Sequence, residues 1–318
     1  MNTPRAATYV VALGANNVDE YYEAPYWPAV GTKVLVEKLS HEIGGMIANA
    51  ACVMGHYGLE TYILDVLGDD AYTDEILRQL DEHGVNRDHV AIQKQRANDK
   101  TLIVLTEGER TILVVESTKP DPTINPATLE LIASARYLYT SIDGLALLGD
   151  VDGEDFSAIR KGGVRIVLDV EGASISDVER DRRYCHEASI LIFNQSGFEG
   201  FGGGEAPVET ASRFMERGVE IVVVTQGSRG CRVFSGGTHL EVPGIAVDVV
   251  DTTGAGDTFN ASFVFGLEQG WDLLETAQFA NAAAARSTLA FGPRTGCATV
   301  ADVASFLRDR SSGMESPR

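Results

Sequence analysis

Runs of aliphatic and β-branched residues recur along the chain, and between them apolar positions fall three and four residues apart. Unbroken apolar runs suit strands buried on both faces, whereas the wider spacing suits helices with one oily side. The pattern predicts strands over 9–13, 60–67, 136–140, 164–169, 188–193 and 219–224. Helices are predicted from just after Gly44-Gly45 to about Gly55, and over 74–83, 126–135, 209–217, 272–289 and 299–310. Regular alternation of this kind argues for an α/β fold, a doubly wound and mostly parallel sheet covered on both faces. Two regions depart from it. Residues 31–39 alternate imperfectly around Val34, Leu35 and Val36, and 101–106 with 111–116 flank the turn Glu107-Gly108-Glu109-Arg110 as a hairpin would.

The chemistry concentrates in Asp251-Thr252-Thr253-Gly254-Ala255-Gly256-Asp257. A β-branched run over 246–250 reads as a strand before it. Phe259, Phe263 and Leu267, at i, i+4 and i+8, read as the buried stripe of a helix after it. Gly-Ala-Gly lets the backbone approach a ligand, and the first turn of a helix offers unpaired N–H groups to an anion. A carboxylate seated there, Asp257, is poorly suited to cradling phosphate passively. It suits a base that takes the proton of a hydroxyl attacking a phosphoryl group. The plainer alternative is a small-residue turn with Asp257 as an ordinary first-turn acid.

Polar residues also follow the first strand, where Gly14-Ala15-Asn16-Asn17-Val18-Asp19 reads as a turn. In open α/β sheets that end of a strand is also where ligands bind. Gly44-Gly45 opens the next helix with bare backbone N–H groups. Ser141, Asp143 and Asp169 close strands on the same side and read as loop or cap residues rather than ligand contacts.

Composition narrows the partners. The chain has 318 residues and a formal net charge of −20, from 46 acidic against 26 basic residues. That balance argues against nucleic acid or an anionic membrane surface, both of which need a basic face. Cys52, Cys185, Cys231 and Cys297 are scattered, as expected of reduced thiols in a cytoplasmic protein. The six histidines show no metal-ligand spacing, so no structural zinc is expected. No secretory leader and no long apolar span is evident.

Asp-Thr-x-Gly-Ala-Gly-Asp-Thr-Phe, over 251–259, closely resembles the second signature of the ribokinase-like (PfkB) carbohydrate kinases. Gly44-Gly45 with Asn49 resembles the first. The resemblance spans roughly 9–308 and implies one kinase domain over 1–310, with lid segments at about 15–40 and 90–118 and a flexible tail at 311–318. It implies ATP-dependent phosphorylation of a sugar or sugar-like alcohol, with Asp257 as base and the Gly254, Ala255 and Gly256 amides as anion hole. Asn17, Asp19, Gly44, Gly45 and Asn49 would hold the acceptor. Asn194, Thr225, Gly227, Gly230 and Asn281 would line the nucleotide with Mg²⁺. Asp251 and Thr253, with the 292–296 loop, would hold a monovalent cation such as K⁺. A homodimer through the lid is implied as well.

Three departures stand out. Met46-Ile47 replaces the Lys-Gly of ribokinases proper, which leans away from ribose. Gly197 stands where the family's strand-end Asn-x-x-Glu has its glutamate, with Glu199 two residues on. Ser262 replaces a smaller residue. Two other readings stay open. One is a nucleoside kinase using Tyr21, Tyr22, Tyr26 and Trp27 as a wall; the other is a non-catalytic sugar or nucleotide sensor.

Overall fold

A computed structural model describes residues 8–107, 109–115 and 120–313. Fourteen strands are assigned among them. They are β1 (Val10–Leu13), β2 (Asn17–Glu23), β3 (Glu37–Gly44), β4 (Thr61–Leu67), β5 (Val85–Asn86), β6 (Val90–Ile92) and β7 (Lys100–Thr106), then β8 (Glu109–Val114), β9 (Tyr137–Ser141), β10 (Arg165–Val170), β11 (Ile190–Asn194), β12 (Ile221–Thr225), β13 (Gly230–Ser235) and β14 (Thr238–Pro243).

The large sheet runs β14-β13-β12-β11-β10-β9-β1-β4-β5, with β6 beside β4. It is parallel from β12 to β5, and the β13–β14 hairpin adds antiparallel strands at one edge. Alternate residues of β1 divide between two cores. Val10 and Ala12 join the side covered by helices Met46–His56, Ala255–Glu268 and Leu273–Ser287, while Val11 and Leu13 join the opposite side. That explains the unbroken apolar runs, because both faces of each strand are covered. Helix Ala255–Glu268 buries Phe259 and Phe263, with Leu267 partly covered. Burial of each phenylalanine contributes roughly 1.5–3 kcal/mol.

The second sheet, β3-β2-β7-β8, is separate from the large one and is joined to the carboxyl end of β1 through residues 14–16. Its register fixes the site, because antiparallel β2 and β3 pair Asn17 with Gly44 and Asp19 with Glu42.

The structure corrects several expectations. Only residues 14–16 form the turn after β1, and Asn17 already starts β2. The strand expected at 31–39 lies at Glu37–Gly44, and 31–36 carry no strand. Residues 246–250 form no strand either; Val249 and Val250 are exposed, and the Val250 amide donates to the Thr288 carbonyl at 2.8 Å. Glu109 and Arg110 belong to β8 rather than a turn, while Gly108 and Glu116 lie outside the described residues. Residues 90–92 pair with β4, not with the small sheet, and the last helix extends to Gly313.

Candidate active site

β1 runs through residues 14–16 into the small sheet, and the first turn of helix Ala255–Glu268 meets both Asn49, on the helix after β3, and the charge of Asp169 at the end of β10. Gly254 caps that helix at φ 77°, and an added Cβ would lie 2.6 Å from the Pro293 carbonyl oxygen. Glycine is therefore required on both counts. Around Gly256, by contrast, an added Cβ would meet nothing within 4 Å. The Ala255 amide donates to the Thr252 carbonyl at 3.2 Å. No backbone acceptor serves the Gly256 or Asp257 amides among the described residues.

Asp257 is half-buried on the first turn and accepts a hydrogen bond from Asn49 Nδ2 at 2.8 Å. Its pKa is pushed up to about 8, by burial and then by the charge of Asp169, against the Asn49 bond and the pull of Arg294. Asp169, at the end of β10, is raised to about 7 by burial and by Glu171, and it accepts from Tyr139 Oη at 2.8 Å. Glu171, an exposed residue, is also raised, by partial desolvation of its carboxyl. Three acids thus share one end of the sheet, and none is ion-paired among the described residues. The place of Asp169 at a strand end, taken alone, reads as that of a loop or cap residue.

Across the cleft, Asn17 Nδ2 donates to Asp19 Oδ1 at 2.7 Å and to Thr101 Oγ1 at 2.8 Å. Asp19 is buried and its pKa raised, burial outweighing those bonds and the Arg294 charge. The two glycines opposite are dictated by fit. A Cβ on Gly44 would come within 2.6 Å of Asp19 Oδ2, and one on Gly45, at φ 102°, within 2.3 Å of the Ala15 carbonyl.

One residue that sequence reading missed joins both sides. Arg294 is 6% exposed. Its Nε donates to Asn49 Oδ1 and its Nη2 to Asn16 Oδ1 and the Gly44 carbonyl, each at 2.9 Å; Nη1 reaches Gln79 at 3.3 Å. Asn49 is thereby oriented, its oxygen toward Arg294 and its NH₂ toward Asp257. A lone arginine in a Gly-Pro turn offers no periodic signal that could have announced this.

Asp251 organises the neighbouring loop. Its carboxylate accepts from the Thr253 amide at 3.0 Å, the Thr253 hydroxyl at 2.8 Å and the Gly292 amide at 3.0 Å. Burial pushes its pKa up, and those bonds more than reverse the push, holding it below the usual range. The Asp251 and Thr253 main-chain carbonyls accept no hydrogen bond among the described residues.

Further along the sheet the expected residues bond largely to backbone. Asn194 Oδ1 caps helix Gln195–Gly202, accepting from Gly197 N at 2.8 Å and also from Gly172 N at 3.1 Å and Ser196 Oγ at 3.0 Å. Gly197 is where the missing glutamate would stand, and a Cβ there would lie 2.6 Å from the Val170 carbonyl. The backbone itself excludes a side chain. Glu199 is exposed and bonded to Gln195. Thr225 Oγ1 donates to the Phe193 carbonyl, and Asn281 Nδ2 to the Val242 and Pro243 carbonyls, all at 3.2 Å. Gly227 has φ 58°, and Gly230, at φ 96°, packs so that a Cβ would lie 2.1 Å from the Val242 carbonyl. The Ser262 departure is also explained, since its hydroxyl donates to the Thr258 carbonyl at 2.6 Å and meets Tyr57 Oη at 3.0 Å.

A glycine-rich turn, a helix-seated carboxylate and a small sheet over the cleft describe a small-molecule kinase. The chain belongs to the pfkB family of carbohydrate kinases, matching the pfkB family carbohydrate kinase description over residues 7–300. Among curated relatives it is 28% identical to Bacillus subtilis ribokinase over 308 residues, covering 94% of this chain and 99% of the relative. It is 25% identical to Arabidopsis thaliana probable fructokinase-5 over 84% of its length and 89% of the relative's. Among solved structures, Arabidopsis thaliana ribokinase complexed with ribose and ATP superposes with a TM-score of 0.82 at 26% identity, covering 95% of this chain and 99% of that one. The fold is shared with the Methanocaldococcus jannaschii nucleoside kinase at a TM-score of 0.79 and 19% identity, over 95% of this chain and 98% of that one. The protein is thus an ATP-dependent carbohydrate kinase. Among the described residues no helix is long and apolar enough to cross a membrane.

Proposed function

We propose that this kinase phosphorylates a hydroxyl, a primary one by preference, of a sugar or sugar-like alcohol, with Asp257 as general base. The observation that carries the reading is the seating of Asp257 beside unpartnered helix amides and within 2.8 Å of Asn49, whose other end is held by Arg294. Asn17, Asp19, Asn49 and the Gly44-Gly45 backbone bind the acceptor, and the Asp19 carboxylate accepts from its hydroxyls. As the acceptor oxygen bonds to the γ-phosphorus, its proton passes to Asp257 and the β–γ bridging P–O bond breaks, releasing ADP. The Gly254–Gly256 turn takes up charge on the transferring group through the amides that remain free. Closure of the small sheet excludes water from the step.

Thr225, Gly227, Gly230 and Asn281 line the nucleotide side, and Asn194 joins them through its Nδ2, since its oxygen is committed to the cap. Magnesium, when bound with the nucleotide, neutralises phosphate charge; Asp169 and Glu171 fit it as hard oxygen donors whose mutual repulsion a dication relieves. They stand in for the glutamate that the backbone at 197 excludes. The free carbonyls of Asp251 and Thr253 suit K⁺.

Met46, partly buried against the core in place of a cation, favours an acceptor other than ribose. A nucleoside would need an aromatic wall, yet Tyr21 is buried with its ring 5.3 Å from Phe291 and Tyr22 is bonded to Glu20, which leaves only Tyr26 and Trp27, each 50% exposed, of the four aromatics. The sugar reading is therefore preferred. Ile112 and Val114, exposed on one face of edge strand β8, leave an apolar edge that suits pairing with a second copy in the cytoplasm.

Asp257→Asn tests the base assignment. With ATP, Mg²⁺ and a panel of sugars and polyols, turnover should fall roughly 10²–10⁴-fold while acceptor binding survives. Undiminished turnover would remove the base assignment, and no ADP release from the unaltered protein with any acceptor would favour the sensor reading.

A further inference from the structure

Behind the cleft, three side chains that phosphoryl transfer does not use converge from separate segments. His56 ends helix Met46–His56, His83 follows helix Thr73–Glu82, and Cys297 follows the turn that carries Arg294. One nitrogen from each ring and the thiol sulfur lie within 4.8 Å of one another. The two rings meet edge to face, with centroids 5.6 Å apart. Nδ1 of His83 is buried with no hydrogen-bond partner among the described residues. Leaving a buried ring nitrogen unpaired is costly, and such exceptions call for an explanation.

We infer that His56, His83 and Cys297 form a binding site for one zinc-class divalent ion, with water in the fourth position. Two imidazoles and a thiolate suit zinc and disfavour magnesium, which demands oxygen, so ATP-bound magnesium does not compete. Tetrahedral bonds of about 2.0–2.3 Å bring donor atoms roughly 3.3–3.7 Å apart, so the three side chains draw together by about 1 Å on binding. Burial pushes the Cys297 thiol up to about 12 and the His83 ring down to about 4. The Arg294 charge opposes a cation at His83 but favours the Cys297 thiolate, and Glu82 favours a cation at His83. Thiolate formation offsets one of the ion's two charges. The ion would join the same three elements that Arg294 ties through Asn49 and Gln79, adding a second link behind the acceptor side.

The test uses the full chain, stripped with chelator and kept reduced. Zn²⁺ should bind at one equivalent and raise the melting temperature by several degrees. Co²⁺ should give the intense visible bands of tetrahedral coordination together with thiolate charge transfer. Cys297→Ser should abolish the charge-transfer band, and His83→Gln should lower Zn²⁺ affinity at least 10-fold. Should either variant fail to fold, His56→Gln at the helix end and the Co²⁺ spectrum of the unaltered chain decide. Absence of tetrahedral cobalt bands in the unaltered chain, or zinc binding undiminished in the folded variants, would overturn the site.

Discussion

Asp19 and Glu20 are neighbours on β2, yet their side chains leave the strand on opposite faces and meet opposite surroundings. Asp19 has amide and hydroxyl partners and no cation in contact among the described residues, and its pKa is raised. Glu20 accepts from Tyr72 at 2.5 Å, Lys38 at 2.9 Å and Tyr22 at 2.7 Å, with Lys100 at 3.4 Å. Burial pushes its pKa up, but those partners prevail and hold it at about 2. One face of the small sheet is thus neutralised and fastened to the body through Tyr72, and the other keeps acids with unspent charge. The same contrast separates Glu20 from Asp169, Glu171 and Asp257. Saturated carboxylates serve the architecture, and undercompensated ones are available for protons and cations.

The largest expected effects lie on the undercompensated side. Because the Asp169–Asp257 pair is raised, kcat/KM should climb with pH to an apparent pKa near 8 that belongs to the pair. Stability should run the other way. The folded state keeps a proton on Asp257 that the unfolded chain releases above about pH 4, so this stabilisation fades as pH rises toward 8. Asp257→Asn should therefore lower turnover roughly 10²–10⁴-fold yet flatten the decline of melting temperature over that window. A parallel decline in the variant would show that Asp257 is not the group responsible. Arg294→Gln should cost on the order of 3–5 kcal/mol of unfolding free energy, because it strands buried acceptors on Asn16, Gly44 and Asn49. It should also depress kcat by releasing Asn49 from Asp257. Unchanged denaturant midpoints would mean those acceptors find other partners.

On the saturated face the expectation is smaller and purely structural. Glu20→Gln should lose roughly 1–3 kcal/mol at neutral pH with kcat nearly intact. The sign follows from a depressed pKa: the contribution is complete above about pH 4.5 and disappears as pH falls through about 2. Urea unfolding at pH 7 and pH 3 checks it, and an equal difference at both would contradict the ionic account.

How far the sequence foretold this arrangement depends on whether the cause is local. Phe259, Phe263 and Leu267 placed helix Ala255–Glu268 to within a few residues, because a buried stripe repeats along one element. Residues 246–250 misled because β-branched composition records fitness for a sheet, and here no strand lies alongside. The β13–β14 hairpin carries a local signal, Gly236-Gly237 at φ 53° and 81°, a two-residue turn that only such angles close. Arg294 and the His56, His83 and Cys297 cluster were illegible for a different reason. Their meaning arises when distant segments meet, and no spacing along the chain encodes that. The reason for Gly197 was equally hidden, since the obstacle is the Val170 carbonyl on another strand.

The smallest effect on stability discriminates most finely between a glycine kept for the protein and one kept for a ligand. At Gly254 both φ 77° and the Pro293 carbonyl forbid a side chain, so Gly254→Ala should destabilise. At Gly256 the angle is helical and nothing lies within 4 Å, so Gly256→Ala should change unfolding free energy by no more than about 0.5–1 kcal/mol, toward greater stability. If the space over Gly256 receives the transferring phosphoryl group, the added methyl must obstruct it, and kcat should fall while the fold is unharmed. Stability and turnover measured on the same preparation separate the cases. A Gly256→Ala protein that turns over normally would leave that space without a catalytic purpose and shift the anion hole to other amides.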